Sequence, residues 1–211
     1  MDIHQFNILL HVAAGMAALA LGFIALFARK GGALHVKSGR WFLGFMCVVI
    51  VTGLVGVFAY EVNTFLLVIT LSSGYQGFTG YRILLTRNNK PYPIDLVAVF
   101  ITLSACVYFL YYFNSIGMYW SPVIIYSTVG YLLLLITYDL AKYLLPANRY
   151  GNIWLKEHIV KMIGAFSALL SAFSGTVLDR YQPYSQFLPS VVCLWVIVYF
   201  LVTFPRKSRK T

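Results

Sequence analysis

Residues 6–60 read FNILLHVAAGMAALALGFIALFA (6–28), RKGGALHVKSGR (29–40) and WFLGFMCVVIVTGLVGVFAY (41–60). Neither outer stretch carries a charged side chain, and each reaches the roughly 20 apolar residues that a helix needs to cross hydrocarbon. Between them, Arg29, Lys30, Lys37 and Arg40 surround the pair Gly31-Gly32. A charge-free run, a short basic turn and a second charge-free run describe two membrane helices and the connection between them. Asp2 precedes the first run and no Lys or Arg does, so the positive start of a cleaved signal peptide is missing and the run is expected to belong to the mature chain.

The pattern recurs. Further apolar stretches run from Thr64 to Leu85, Ile94 to Phe113, Pro122 to Leu145, His158 to Leu178 and Phe187 to Phe204, after the first two at Phe6 to Ala28 and Trp41 to Tyr60. Turn residues separate them: Asn88-Asn89-Lys90-Pro91, Asn114-Ser115, Pro146-Ala147-Asn148 and Gln182-Pro183. The 211 residues are 60% hydrophobic and only 10% charged, against about 25% charged in ordinary soluble domains. That composition excludes a water-solvated fold. The expected architecture is all-α, a single seven-helix transmembrane domain spanning residues 1–211.

Orientation follows from the basic residues, which favour the cytoplasmic side. Counted alternately from the N-terminus, one set of segments holds every Lys and Arg except Arg180. The amino terminus is therefore expected outside and the carboxyl terminus in the cytoplasm of an inner (plasma) membrane. The net charge of +10 is spread over four segments flanking spans, which removes nucleic acid as a partner and leaves the lipid bilayer. Trp41, Tyr60, Trp120, Tyr143, Trp154 and Tyr181 fall where an aromatic belt is expected. Short connections leave little surface for a soluble partner, so a second copy or another membrane protein would dock within the bilayer or on the basic face. Cys47, Cys106 and Cys193 stand singly in apolar runs and suggest neither a disulfide framework nor a metal site.

Ionisable groups within spans are costly and mark interiors or cavities. His11, Gly15, Ala18 and Gly22 share one helical face, smooth enough for another helix or a flat cofactor to approach. His11 and Gly15, with His158, are the candidate cofactor-binding residues. On the basic side, His35 in the first connection, Asp139 near the end of the fifth span and His158 at the start of the sixth supply enough imidazole and carboxylate for a divalent metal. Their spacing shows no HExxH-type signature, and interfacial polar residues, with Asp139 paired to a Lys or Arg, are the competing explanation. The third span carries Ser72, Ser73, Gly74, Gln76, Gly77, Thr79 and Gly80, a face for close packing or for lining a cavity. Arg82 closes that span within reach of Asp95 or Asp139. Ser167, Ser171 and Ser174 share a face of the sixth. A retinal protein is excluded, because the last span contains no lysine.

Leu10-His11, Gly15, Ala18, Gly22, Lys30-Gly31-Gly32, His35 and Gly39-Arg40, followed by Thr79-Gly80-Tyr81-Arg82, Asp139, His158 and Lys161-Met162, make the chain similar to the DUF2306 family of multi-spanning membrane proteins. That resemblance implies a membrane bundle and singles out His11, His35, Asp139, His158 and Arg40. It implies no reaction. Three activities stay open at this point: a histidine-based protein holding haem b or a divalent metal ion, for electron transfer or metal handling; a small-solute or proton-coupled transporter; and an inner-leaflet metal-dependent enzyme. A structural or sensory partner without chemistry is the fourth reading.

Overall fold

The computed structural model describes residues 2–60, 65–116, 122–146, 150, 151 and 153–203. Glu61, Trp120, Arg149 and the basic tail after residue 203 lie outside them. The described residues form seven α-helices and no strand: α1 (Ile3–Phe27), α2 (Ala33–Tyr60), α3 (Phe65–Thr86), α4 (Pro93–Ile116), α5 (Pro122–Ala141), α6 (Ile153–Val177) and α7 (Tyr184–Thr203). Short 3-10 turns, Lys142–Leu144 and Asp179–Tyr181, follow α5 and α6. Over the described residues α1, α2, α4, α6 and α7 are long and apolar enough to cross a membrane.

The boundaries differ from expectation where charges sit at helix ends. Gly31, at φ 77°, supplies the left-handed residue that lets the chain reverse without a Cβ clash. The turn is complete by Gly32, so His35, Lys37 and Arg40 belong to α2 rather than to a loop. Likewise α6 starts at Ile153, which places Glu157 and His158 in its second turn. Asn114 and Ser115 continue α4. Charged residues end an apolar run, but they do not end a helix.

Helices α3 and α6 form the central pair. The α1–α2 hairpin packs beside them through α2 on α3 and α1 on α6, α7 rests on α6, and α4 and α5 flank α3. Two cores result. One joins α1, α2, α6 and α7 around Ala18, Phe42, Met46 and Phe166; the other joins α3, α4 and α5 around Val68, Phe109, Ile125 and Leu132. The exterior is apolar too: Phe27, Phe100, Leu134 and Trp195 are exposed. Hydrocarbon solvates such a surface and water does not.

Glycines set the close approaches. A Cβ on Gly22 would lie 2.5 Å from the Phe166 ring, while Gly74 faces Ile50 and Gly77 faces Leu43. On α6, a Cβ on Gly164 would fall 1.9 Å from Gln76 Oε1. Gln76 cannot simply move, because its amide bonds Ser72 and its oxygen accepts from Tyr131. Gly164→Ala should therefore lower stability by about 1–3 kcal/mol, as overpacking does. Gly130→Ala, with no atom within 4 Å of the added Cβ, should leave the thermal unfolding of detergent-solubilised protein nearly unchanged.

Candidate functional site

The α1–α2 turn, the α3–α4 turn and the α5–α6 junction meet at one end of the bundle. His35 Nδ1 lies 2.9 Å from Ala25 O, His158 Nδ1 lies 2.9 Å from Gly80 O, and Asn89 donates to Lys142 O. Two constructions occupy this end, a buried ion cluster and a cavity.

The cluster contains Asp139 at the end of α5, Lys142 in the following turn, and Glu157 and Lys161 one turn apart on α6. Their exposures are 2%, 7%, 4% and 1%. Each lysine touches both acids. Lys161 Nζ is 2.5 Å from Asp139 Oδ1 and 3.5 Å from Glu157 Oε2; Lys142 Nζ is 3.0 Å and 2.9 Å from the same two atoms. The remaining carboxylate oxygens accept from phenols, Tyr75 to Asp139 at 2.6 Å, and Tyr138 and Tyr150 to Glu157 at 2.9 and 2.7 Å. Two positive and two negative charges cancel, and every carboxylate oxygen is bonded. That is the condition under which buried charge is tolerated. Burial alone would lower the Lys142 pKa, but Asp139 and Glu157 outweigh it and hold the ammonium above the ordinary lysine range. Beside the cluster, Arg82 forms a two-pronged pair with Asp95 at 2.8 and 3.0 Å.

The cavity, of about 540 Å³, lies between the ends of α1, α2, α3 and α6 at this end of the bundle and reaches Phe200 of α7. Its walls are mostly apolar, with Phe42, Tyr81, Trp154, Met162 and Phe166 among them, and both His35 and His158 line it. A main-chain carbonyl can only accept, so each neutral imidazole carries its proton on Nδ1 and keeps the Nε2 lone pair free. Neither Nε2 has a protein partner among the described residues. Gly39 lines the same cavity, and a Cβ there would meet no protein atom within 4 Å. Its missing side chain opens space in the cavity and serves no helix contact.

These positions revise several sequence expectations. Asp139 does not join His35 and His158; its oxygens are engaged by Lys142, Lys161 and Tyr75. Among the described residues no three of His, Cys, Asp and Glu come together to hold a metal ion. His11 is at the opposite end of the bundle from His158. Thr52 donates its hydroxyl to Val48 O at 2.7 Å, so the 2.9 Å contact between Thr52 Oγ1 and His11 Nδ1 is a bond donated by the imidazole. Gly15 has only Val49 near its absent Cβ, at 3.9 Å. The small face of α1 is a helix-packing surface. The polar face of α3 is packed as well: Gln76 is fully buried and Gly80 abuts Lys161 and Met162. The serines of α6 bond to their neighbour α7, Ser171 to Ser190 at 2.9 Å and Ser174 to Ser185 O at 2.7 Å.

Glu157, Lys142, Lys161 and the three phenols were not read as a unit in the sequence. Asp139 and Lys142 at i, i+3, and Glu157 and Lys161 at i, i+4, are the signal that was available.

No family model matches the chain, and neither a curated protein nor a solved structure does.

Removing one lysine leaves the buried acids in excess. Lys161→Met should destabilise the protein by about 3–5 kcal/mol, and adding Asp139→Asn should recover part of that loss in a double-mutant cycle. The Lys142 contribution is fully present below its unfolded pKa of about 10.4 and is lost as pH rises through the raised folded value. A melting curve in detergent should therefore be insensitive to this group at neutral pH and decline only in the alkaline range.

Proposed function

We propose that the protein is an integral membrane protein that holds a b-type haem between His35 and His158 and works in electron transfer. The observation that carries this reading is the pair of imidazoles on one apolar cavity, each with Nδ1 bonded to a carbonyl and Nε2 unpartnered. Histidine ligands to metals nearly always present this arrangement, because the second-shell bond fixes the tautomer and the ring orientation. Ligand count favours haem over a bare ion. A structural zinc site takes four protein ligands and a catalytic one three, whereas the cavity offers two imidazoles. A porphyrin brings four nitrogens of its own and asks the protein only for axial ligands. Aromatic and aliphatic walls, with open space above Gly39, suit a flat apolar ring.

The same reading includes seven spans, with the amino terminus outside and the cavity at the cytoplasmic end of a plasma membrane protein. Its support is the alternation of the described helices and the gathering of the described basic residues at the cavity end, Arg180 alone excepted. Membership of the DUF2306 family belongs to this reading too, and rests on the residues quoted above. The transporter and enzyme alternatives lose their motivation, since the α3 face is packed and Asp139 is held by lysines.

Full-length protein purified with haem should show the sharp Soret and α bands of a six-coordinate low-spin centre. His35→Ala and His158→Ala should each abolish that spectrum, and Gly39→Phe should exclude haem while leaving the fold intact. His11→Ala should bind as the wild type does. A preparation that gives no low-spin spectrum after haem addition would rule the reading out.

A further inference from the structure

Charge around the cavity is lopsided. Lys30, Arg40 and Arg87 line it together with the two histidines, and no Asp or Glu does among the described residues. The nearby acids are already paired: Asp95 with Arg82, and Asp139 and Glu157 with Lys142 and Lys161. Lys30 bonds only main-chain carbonyls, Ala25 O at 3.0 Å and Leu26 O, and sits over Phe200 at 4.6 Å. Arg87 donates to Leu84 O at 3.2 Å and lies over Trp154 at 5.0 Å. Arg40 has no hydrogen-bond or ionic partner among the described residues. Three cations thus border one apolar cavity without a counter-charge among the described residues.

We propose that Arg40 and Arg87, assisted by Lys30, form an anion subsite that takes the carboxylates of the ligand, so that the cavity selects an apolar ring bearing acidic substituents. The inference rests on the haem reading for the identity of the ring and on the cation set for its acidity. Guanidinium groups suit this task because their planar fork meets a carboxylate with two parallel hydrogen bonds. The arrangement fixes the direction of the ligand: acidic edge toward the basic rim, ring between His35 and His158. A neutral quinone or acyl chain would leave the cations without a counter-ion.

Metal-free protoporphyrin IX tests the subsite without calling on the imidazoles. Its binding to full-length protein in zwitterionic nanodiscs can be read by porphyrin fluorescence, against empty nanodiscs, and compared with its dimethyl ester. The diacid should bind at least about tenfold more tightly than the ester, as loss of charge-assisted hydrogen bonds implies. Arg40→Gln/Arg87→Gln, shown to be folded by its melting curve, should bring the two affinities within about threefold of each other. Equal binding of diacid and ester to the wild type, or an unchanged preference in the double variant, overturns the subsite. Loss of the preference in nanodiscs containing phosphatidylglycerol also overturns it, since the cations would then serve lipid headgroups. The two readings fail separately. A preserved diacid preference with no low-spin haem spectrum removes the imidazole ligation alone, and a low-spin spectrum with no preference removes the subsite alone.

Discussion

A carboxylate inside a helix bundle whose exterior is hydrocarbon has no water to turn to, and its charge must be met by the protein. Asp139 and Glu157 meet that requirement through Lys142 and Lys161, and the four side chains fasten the end of α5 to the start of α6. Tyr75 extends the fastening to α3. Beside it, His158 bonds Gly80 O across the α3–α6 contact, and the absent side chain of Gly80 lets Lys161 and Met162 come close. The wall of the cavity formed by α3 and α6 is therefore held by an ion cluster that is itself electrically neutral. Stability and site geometry share the same few residues, and a charge removed from the cluster acts on both.

The neutrality of the cluster shapes the charge of the cavity. With Asp95, Asp139 and Glu157 all matched to cations of their own, the bordering Lys30, Arg40 and Arg87 have no acid among the described residues left to balance them. An apolar cavity with free imidazole nitrogens and a cationic edge is the basis on which a flat, apolar, acid-bearing ligand is proposed. Among the described residues, the opposite end of the bundle lacks these features. There His11 is tied to Thr52, and the small residues of α1 bring helices together.

The helices were legible because a run of apolar residues with no charge has few alternatives in a chain this poor in polar surface. Their starts were less so. His35, Lys37 and Arg40 look like loop residues, yet Gly31-Gly32 makes the turn unaided and the helix resumes at Ala33. The pairing of Arg82 with Asp95 could be anticipated from their places at adjoining helix ends. The ion cluster could be seen only in halves, as one i, i+3 pair and one i, i+4 pair, because nothing local says that α5 and α6 bring the halves together. The histidines posed the same difficulty. The sequence groups His35 and His158 with Asp139, and His11 and Gly15 with His158; of these, His35 and His158 share one cavity. Sequence reports which residues are costly to bury and not which ones meet. His11 has the right periodicity for a flat cofactor and the wrong neighbours.

The central claim is that the imidazoles of His35 and His158, bonded to the Ala25 and Gly80 carbonyls, would both serve as ligands to one group held in the cavity. Electron paramagnetic resonance of the ferric, haem-loaded protein addresses it most directly. A low-spin six-coordinate signal, converted to high spin by replacing either His35 or His158, is the predicted result. A high-spin five-coordinate signal in the unaltered protein, or a low-spin signal that survives both replacements, would contradict it.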